Sequence, residues 1–330
     1  MSGDSDRPER RRRERLMSGE DEPRLERVVV GMDFQPSSLE ALRWTRTVFA
    51  PRAELVVVHV RDEGEAASPS ISASEATSEA VSQVALEVGS GVTSAAVSEF
   101  ESEVTSEVAS AEARLRTLCE AMGPPPARDI VRSGYPPTVV AAVAEESGAD
   151  LIVVGTRGPG TPASSHLGST AERLIRISPV PVLLATHGPR PTRILVPVDE
   201  SELTSPVLAW TAHLAGLWGA SVTLLHVVDP AAPPVDDDAA IWLARLADEL
   251  RRPPRGPTAK VTPVVAAGTP GDAVLAAAAE LQAELIIMGR RGAGRIFSGL
   301  IGSTASTVLR GADCPVLVVV DPPFAIIDSW

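Results

Sequence analysis

The sequence contains one glycine pattern twice, and this repeat constrains the fold more than any other feature of the chain. The pattern is Gly-x2-Gly, nine further residues and then Gly-Ser-Thr; it begins at Gly155 and again at Gly289. Each copy follows an apolar run, Leu151 to Val154 and Leu285 to Met288, and precedes apolar residues three and four apart. This order predicts a buried strand, a glycine loop and a helix. A single copy would more often only turn the chain, but two copies with identical spacing indicate a backbone site for an anion such as phosphate.

The repeat extends over most of the chain and locates the domains. Equivalent glycines such as Gly134 and Gly268 are 134 residues apart, whereas His59 and His226 are 167 apart. The first half therefore carries 33 additional residues, all between His59 and Gly134. We expect a mobile tail over residues 1–24, a first domain over 25–188, a linker over 189–192, a second domain over 193–320 and a C-terminal tail over 321–330.

Apolar strand patterns alternate with helical patterns in both halves, which predicts a doubly wound α/β fold with a parallel sheet. The first strand of each half ends in a carboxylate, Asp33 and Asp199. In such a sheet, ligands lie beyond the C-terminal strand ends where the strand order reverses. Both aspartates are therefore predicted to lie near the glycine loops, with capping of the following helix as the alternative role. Ser37 or Ser38 is the expected N-cap of the first helix.

The additional residues of the first half form a stretch rich in Ser, Glu, Ala and Val, at about residues 63–110. Its apolar residues recur with a spacing close to the helical period, which predicts a long amphipathic helix. Such a helix would either bind a partner or lie on its own domain. Gly89 and Gly91 argue against an unbroken helix.

Composition excludes several classes of function. The formal net charge of -13 opposes binding to nucleic acid. The apolar runs are far shorter than the roughly 20 residues of a membrane helix, and Arg10 to Arg13 precede no apolar segment of a signal peptide. Cys119 and Cys314 fall in different halves and form neither a metal-spaced cluster nor a disulfide framework. We expect a soluble cytoplasmic protein that binds neither nucleic acid nor membrane.

The glycine pattern differs from the P-loop and from the dinucleotide fingerprint. It is the nucleotide signature of the universal stress protein family, which the chain resembles over residues 25–186 and 193–320. The resemblance implies two tandem Rossmann-like domains of the adenine nucleotide α hydrolase type, packed as a pseudo-dimer through their last strands. It also implies that each domain binds ATP, or AMP or ADP in its place, with or without Mg²⁺.

The resemblance assigns roles to individual residues. In the family the strand-one aspartate contacts the adenine or ribose, which gives that role to Asp33 and Asp199. The backbone at the end of the second strand holds the base, a role that falls to Val60 and Val227. The glycine loop wraps the ribose and phosphates. The loop residues in this role are Gly155, Gly158, Gly168, Ser169, Thr170, Gly289, Gly292, Gly302, Ser303 and Thr304.

Basic residues within the loops extend the predicted site. Arg157, Arg290 and Arg291 would add positive charge near the phosphates, or they are ordinary solvated arginines. We include Arg157 and Arg291 in the predicted site.

The two copies differ in ways that predict a stronger site in the second domain. Asp33 is followed by Phe34-Gln35-Pro36, which departs from the family pattern, whereas Asp199 is followed by Glu-Ser as in the family. Glu172 is expected to form a capping box with Ser169 and to reach back toward the phosphates, which would weaken binding in the first domain.

The resemblance implies a regulatory protein of the stress response, whose nucleotide occupancy changes its binding to a protein partner. Catalysis has little support, because no nucleophile with its base and no carboxylate pair emerges; His59 and His226 are expected to be structural. Two alternatives stay open. One is a nucleotide-free interaction protein that uses residues 63–110; the other is a slow ATPase or autokinase. Pairing of whole chains into a homodimer is also open.

Overall fold

The computed structural model describes residues 25–49, 52–61, 111–121, 128–156, 167–186, 188–228, 237–252, 260–292 and 300–320. The predicted N-terminal tail, the insertion at 63–110 and the C-terminal tail lie outside these described residues.

The described residues form ten strands and eight helices that alternate along the chain. The first half contains β1 (Arg27–Met32), α1 (Pro36–Phe49), β2 (Glu54–Arg61), α2 (residues 111–121), β3 (Arg128–Ser133), α3 (Pro136–Ser147), β4 (Leu151–Gly155), α4 (Ser169–Ile177) and β5 (Val182–Ala185). The second half contains β6 (Arg193–Pro197), α5 (Thr204–Trp218), β7 (Ser221–Val228), α6 (Asp237–Arg251), β8 (Val261–Ala267), α7 (Pro270–Glu280), β9 (Leu285–Gly289), α8 (Ser303–Gly311) and β10 (Val316–Val319).

All ten strands belong to one sheet, in the order β3-β2-β1-β4-β5-β10-β9-β6-β7-β8. Neighbouring strands are parallel within each half. The two halves meet where β5 and β10 pair in antiparallel orientation, with Leu183 opposite Leu317. The order reads the same from either edge when equivalent strands are matched. The predicted α/β fold is therefore confirmed, with two doubly wound halves joined as a pseudo-dimer.

The strands are apolar on both sides because helices cover both faces of the sheet. In β1, Val28 and Val30 belong to one core and Val29 to the other, and all three are fully buried. The first core contains residues of α1, α2, α5 and α6, and the second contains residues of α3, α4, α7 and α8. Each core is continuous across both halves of the chain.

The halves also contact each other through aromatic residues outside the sheet. Phe49 at the end of α1 lies 5.8 Å from Trp218 of α5, measured between ring centroids, and both side chains are buried. Arg52 donates from Nη1 to the carbonyl of Leu217 at 3.4 Å. The two halves are therefore packed into one molecule.

Glycines with positive φ precede two of the helices, and a serine near the start of a third makes local hydrogen bonds. Gly134 and Gly268 have φ of 133° and 145°, values that favour glycine, and precede helices that carry proline in the first turn. Helix α1 begins at Pro36, so the expected N-cap at Ser37 or Ser38 is wrong. The buried Ser38 hydroxyl donates to the Gln35 carbonyl at 3.0 Å and accepts from the amide of Asp33 at 3.3 Å.

No helix in the described part of the chain has the length and apolar character to cross a bilayer.

Candidate functional site

The strand order reverses at one point in each half. From β1 the chain passes to β2 on one side, while β4 lies on the other side of β1; β6, β7 and β9 repeat this arrangement. Crevices form beyond the C-terminal strand ends at such positions. Both glycine loops follow β4 and β9, so they lie at these two reversal points as the sequence predicts.

The strand-one aspartates lie at the same two positions and make the same local contact. The Oδ1 atom of Asp33 accepts from the amide of Gln35 at 2.9 Å, and Oδ1 of Asp199 accepts from the amide of Ser201 at 3.1 Å. These contacts are Asx turns. Helix capping is therefore not their role, since α1 begins at Pro36 and α5 has Leu203 as its N-cap.

The loop of the second half lies directly against its aspartate. A Cβ atom added at Gly292 would lie only 2.3 Å from Oδ2 of Asp199. Any side chain at this position would displace the carboxylate or the loop. The residues of the first loop that correspond to Arg291 and Gly292 are Arg157 and Gly158, which lie outside the described residues.

The glycine that precedes each short helix closes the loop in the same way in both halves. The amide of Gly168 donates to the carbonyl of Thr156 at 2.8 Å, and that of Gly302 donates to the carbonyl of Arg290 at 2.9 Å. A Cβ atom at Gly302 would lie 3.2 Å from Cα of Arg291. The first turns of α4 and α8 therefore lie against the residues that follow β4 and β9.

The serines and threonines of these first turns are accessible. Ser169, Thr170 and Ser303 are exposed, and Thr304 is half-buried. Gly168 and Gly302 are the N-caps, and neither helix has a side-chain cap. The first amides of a helix have no partner within it, so these turns can donate to an anion.

Close packing requires a glycine at the first position of each pattern. A Cβ atom at Gly155 would lie 2.7 Å from the carbonyl carbon of Ser37, and one at Gly289 would lie 3.0 Å from Cβ of Leu203. Ser37 and Leu203 are equivalent positions at the start of the first helix of each half. These two glycines therefore allow the helix start to approach the strand end.

The capping box predicted for the first half is wrong. The N-cap of α4 is Gly168 and not Ser169. The Oε1 atom of Glu172 accepts from Nη2 of Arg176, one turn further along the helix, at 2.6 Å. The carboxylate thus points away from the glycine loop, and it does not account for a weaker first site.

Arg290 has a role that the sequence did not indicate. Its side chain is only 6% exposed, and Nη1 donates to the carbonyls of Arg176 at 2.8 Å and Ile175 at 3.3 Å. Those carbonyls belong to the C-terminal end of α4, in the other half of the chain, where the helix dipole favours a cation. Arg290 is therefore neither solvated nor directed to phosphate; it joins the second loop to the first half.

The predicted base-holding residues lie at the ends of β2 and β7, as expected. Val60 and Val227 are both half-buried and pair in register with Arg132 of β3 and Ala266 of β8.

The neighbouring histidines anchor the end of the first strand in each half. The Nδ1 atom of His59 lies 2.8 Å from the carbonyl oxygen of Met32, and Nδ1 of His226 lies 3.0 Å from that of Val198. Because a carbonyl only accepts, Nδ1 carries the proton in both contacts. The structural role expected for these histidines is confirmed.

Three aromatic or cationic side chains near these histidines were not identified from the sequence as site residues. The Phe34 ring lies 4.6 Å from the His59 ring, with the guanidinium carbon of Arg114 4.2 Å from the Phe34 centroid. In the second half Trp242 lies 5.0 Å from the His226 ring. For Phe34, the departure from the family pattern was a sequence feature that could have identified it. Arg114 and Trp242 gave none, because their contacts depend on how α2 and α6 pack.

No cluster of three or more His, Cys, Asp or Glu side chains suited to a metal ion occurs among the described residues.

The fold and the site together define a tandem, doubly wound α/β protein with a glycine-loop site at each strand reversal. The family model of the universal stress protein family matches residues 24–186 and 191–320. The chain belongs to the universal stress protein family.

Similar proteins agree with this assignment. The chain is 27% identical over 306 residues to the universal stress protein Rv2623 of Mycobacterium tuberculosis, covering 88% of this chain and 95% of that protein. It is 30% identical over 184 residues to a universal stress protein of Mycolicibacterium smegmatis, where the match spans 52% of this chain and 62% of the relative. A universal stress protein from Archaeoglobus fulgidus has the same fold, with a TM-score of 0.60, 22% identity and coverage of 91% and 98% of the two chains.

Proposed function

We propose that this chain is a regulatory stress protein that binds an adenine nucleotide at its glycine loops. The observation that carries the proposal is a pair of close contacts in the second site. Gly292 lies against the carboxylate of Asp199, and Gly302 lies against the same loop. An acceptor for ribose or base, the described start of the glycine loop and a helix N-terminus thus lie next to one another at the strand reversal, where crevices form in such sheets.

The chemistry of this crevice favours binding over turnover. The described part of the second site offers glycine backbone, the Asp199 carboxylate, accessible hydroxyls and the half-buried Arg291. Backbone amides and the helix N-terminus stabilise phosphate oxygens, and the carboxylate accepts from a sugar hydroxyl or base amine. Hydrolysis would additionally need a group that orients or deprotonates water. We therefore propose that the nucleotide acts as a signal that changes recognition of a protein partner.

The proposal is tested by extracting small molecules from the denatured protein and quantifying adenine nucleotide per chain by mass spectrometry. We expect a stoichiometric amount, of the order of one to two equivalents, which falls in Gly302→Val because the valine side chain would collide with the backbone of Arg291. Absence of nucleotide, combined with no binding of added ATP with or without Mg²⁺ in a calorimetric titration, would exclude this function.

A further inference from the structure

Arg290 lies where the second glycine loop meets the first half of the chain. Its amide donates to the carbonyl of Val319 in β10 at 2.8 Å, and its carbonyl accepts from the amide of Gly302 at 2.9 Å. The backbone of Arg290 is thus fixed between β10 and the N-cap of α8. Arg291 and Gly292 of the second site follow it directly. A ligand that orders these two residues therefore also orders the backbone of Arg290.

The side chain of Arg290 leaves this loop and caps a helix of the other half. The last carbonyls of a helix lack partners within it. In α4 the carbonyl of Leu174 accepts from the amide of Ser178 at 2.8 Å. Those of Ile175 and Arg176 accept from Nη1 of Arg290. A guanidinium is costly to bury unless it is hydrogen-bonded, and its hydrogen bonds are stronger than those of a neutral donor. The end of α4 is therefore tied to a residue of the second loop.

Helix α4 connects this contact to the first glycine loop. It has only nine residues, so its two ends are about 12 Å apart. Its N-cap is Gly168, whose amide donates to the carbonyl of Thr156 after β4. A short helix moves as one unit, so a constraint on its C-terminal end also acts on its first turn. A continuous series of direct contacts thus runs from the second loop through Arg290 and α4 to the first loop.

We infer that Arg290 couples the two glycine loops, so that nucleotide bound at the second loop orders α4 and strengthens binding at the first. This inference rests on the proposed function. The physical reason is that α4 and Arg290 are ordered together, and the ligand that binds second meets a lower ordering cost. Coupling of this kind is reciprocal, and we expect a factor of about five or more in affinity. Arg290 acts here through α4 and need not touch the nucleotide.

The first test follows hydrogen exchange by mass spectrometry in a chain whose first site is impaired. Asp33→Ala removes the proposed acceptor of the first site and leaves the second site to bind. With saturating ATP, exchange should slow in the first turn of α8 and also at residues 174–178, the end of α4. In Asp33→Ala combined with Arg290→Met, the slowing in α8 should persist and that at residues 174–178 should disappear. The response of α8 shows that the second site still fills.

Matched variants separate coupling from a general loss of stability. Arg290→Lys retains a charged donor and should retain the slowing at residues 174–178. Arg310→Met removes an exposed arginine that bonds within α8, and it should leave both responses unchanged. Arg290→Gln replaces the methionine variant if methionine impairs folding, which circular dichroism checks.

The second test measures the coupling as a double-mutant cycle. The ATP concentration that half-protects residues 169–173 reports the affinity of the first loop. Asp199→Ala, which impairs the second site, should raise this concentration about fivefold or more. In the Arg290→Met background the same substitution should leave it unchanged. A residue that only stabilises the fold would alter the affinities and leave the effect of Asp199→Ala intact.

The outcomes distinguish this inference from the function on which it rests. A response of α8 in Asp33→Ala without one at residues 174–178 would overturn the inference, as would a response at 174–178 that survives both Arg290→Met and Arg290→Gln. Nucleotide binding would stand in both cases. A response in neither helix, together with no calorimetric binding of ATP by the unaltered chain, would instead exclude the proposed function.

Discussion

Gly292 and Asp199 show at the scale of single residues how the sequence pattern and the site depend on each other. The added Cβ of an alanine would lie 2.3 Å from the carboxylate oxygen, which is well inside any normal contact. Asp199 and Gly292 are thus neighbours in space, although 93 residues separate them in the chain.

Gly292→Ala is therefore expected to displace the Asp199 carboxylate and to weaken ATP binding, with a change of less than about 1 kcal/mol in the free energy of unfolding because the end of a side chain can move aside. Urea unfolding and calorimetry measure the two effects. Gly216→Ala is the matched control, because a Cβ atom there meets nothing within 4 Å. Gly216 lies in the last turn of α5, where alanine should stabilise the chain by up to about 1 kcal/mol. Equal ATP affinity in Gly292→Ala and the unaltered chain would contradict the contact.

The two thiols are expected to be chemically inert in the folded protein. Burial raises the pKa of Cys314 from 9.0 to about 11, and burial, followed by the charge of Asp129, also raises the pKa of Cys119. At pH 8, Cys314 should be alkylated by iodoacetamide about a hundredfold more slowly in the folded than in the unfolded chain, because two pKa units reduce the thiolate fraction by that factor. Rapid labelling of Cys314 in the native protein at pH 8 would contradict this expectation.

The same shift has a defined effect on stability. The pKa of Cys314 is higher in the folded than in the unfolded chain, so the neutral thiol contributes to the free energy of unfolding. This contribution is fully present below pH 9 and is lost as the pH rises toward about 11. Denaturation midpoints of Cys314→Ala should therefore fall less steeply over this interval than those of the unaltered chain.

At the scale of elements, α4 is held at both of its ends by glycine loops. Its N-terminus follows Gly168 of the first loop, and its C-terminal carbonyls accept from Arg290 of the second loop. The equivalent residue of Arg290 in the first half is Thr156, which has no guanidinium and therefore cannot make the same contact.

Arg290→Met should lower the free energy of unfolding by about 1.5–3 kcal/mol, since two buried helix carbonyls lose a charged donor. Urea denaturation measures the change. Arg310→Met is the control: it removes an exposed arginine whose hydrogen bonds go to Ser306 within the same helix, and it should cost about 1 kcal/mol or less. A cost for Arg290→Met no larger than that of the control would show that the contact across the halves does not stabilise the fold.

At the scale of the whole molecule, the two halves share one sheet and two continuous cores. β10 pairs with β5 of the first half and with β9 of its own half, so it is a central strand. Phe49 and Trp218 add an aromatic contact between α1 and α5. The halves are therefore expected to unfold together, in contrast to tandem domains that are joined only by a linker.

Phe49→Ala tests this cooperativity. It should cost about 3–5 kcal/mol, the usual range for a buried aromatic. Native-state hydrogen exchange, read by mass spectrometry, should show equal loss of protection in β1 and β6, which lie in different halves. A loss confined to β1 would mean that the halves unfold independently.

The sequence by itself determined the two repeated α/β halves and the positions of the glycine loops along the chain. Those features depend on local patterns: apolar runs of strand length, helical spacing and glycines at fixed intervals. The placement of Asp33 and Asp199 at the strand ends followed from the same patterns, because each ends an apolar run.

Only the tertiary structure decided which side chains meet across elements. Arg290 contacts a carbonyl 114 residues away, a distance in sequence that no local pattern encodes. Glu172 has a suitable partner on either side, and the helix pairs it with Arg176 rather than with the loop. The contact between the rings of Phe34 and His59 likewise depends on the φ angle of Phe34 and on the packing of α2. Such contacts are set by the docking of helices on the sheet, and they are where the two otherwise similar halves differ.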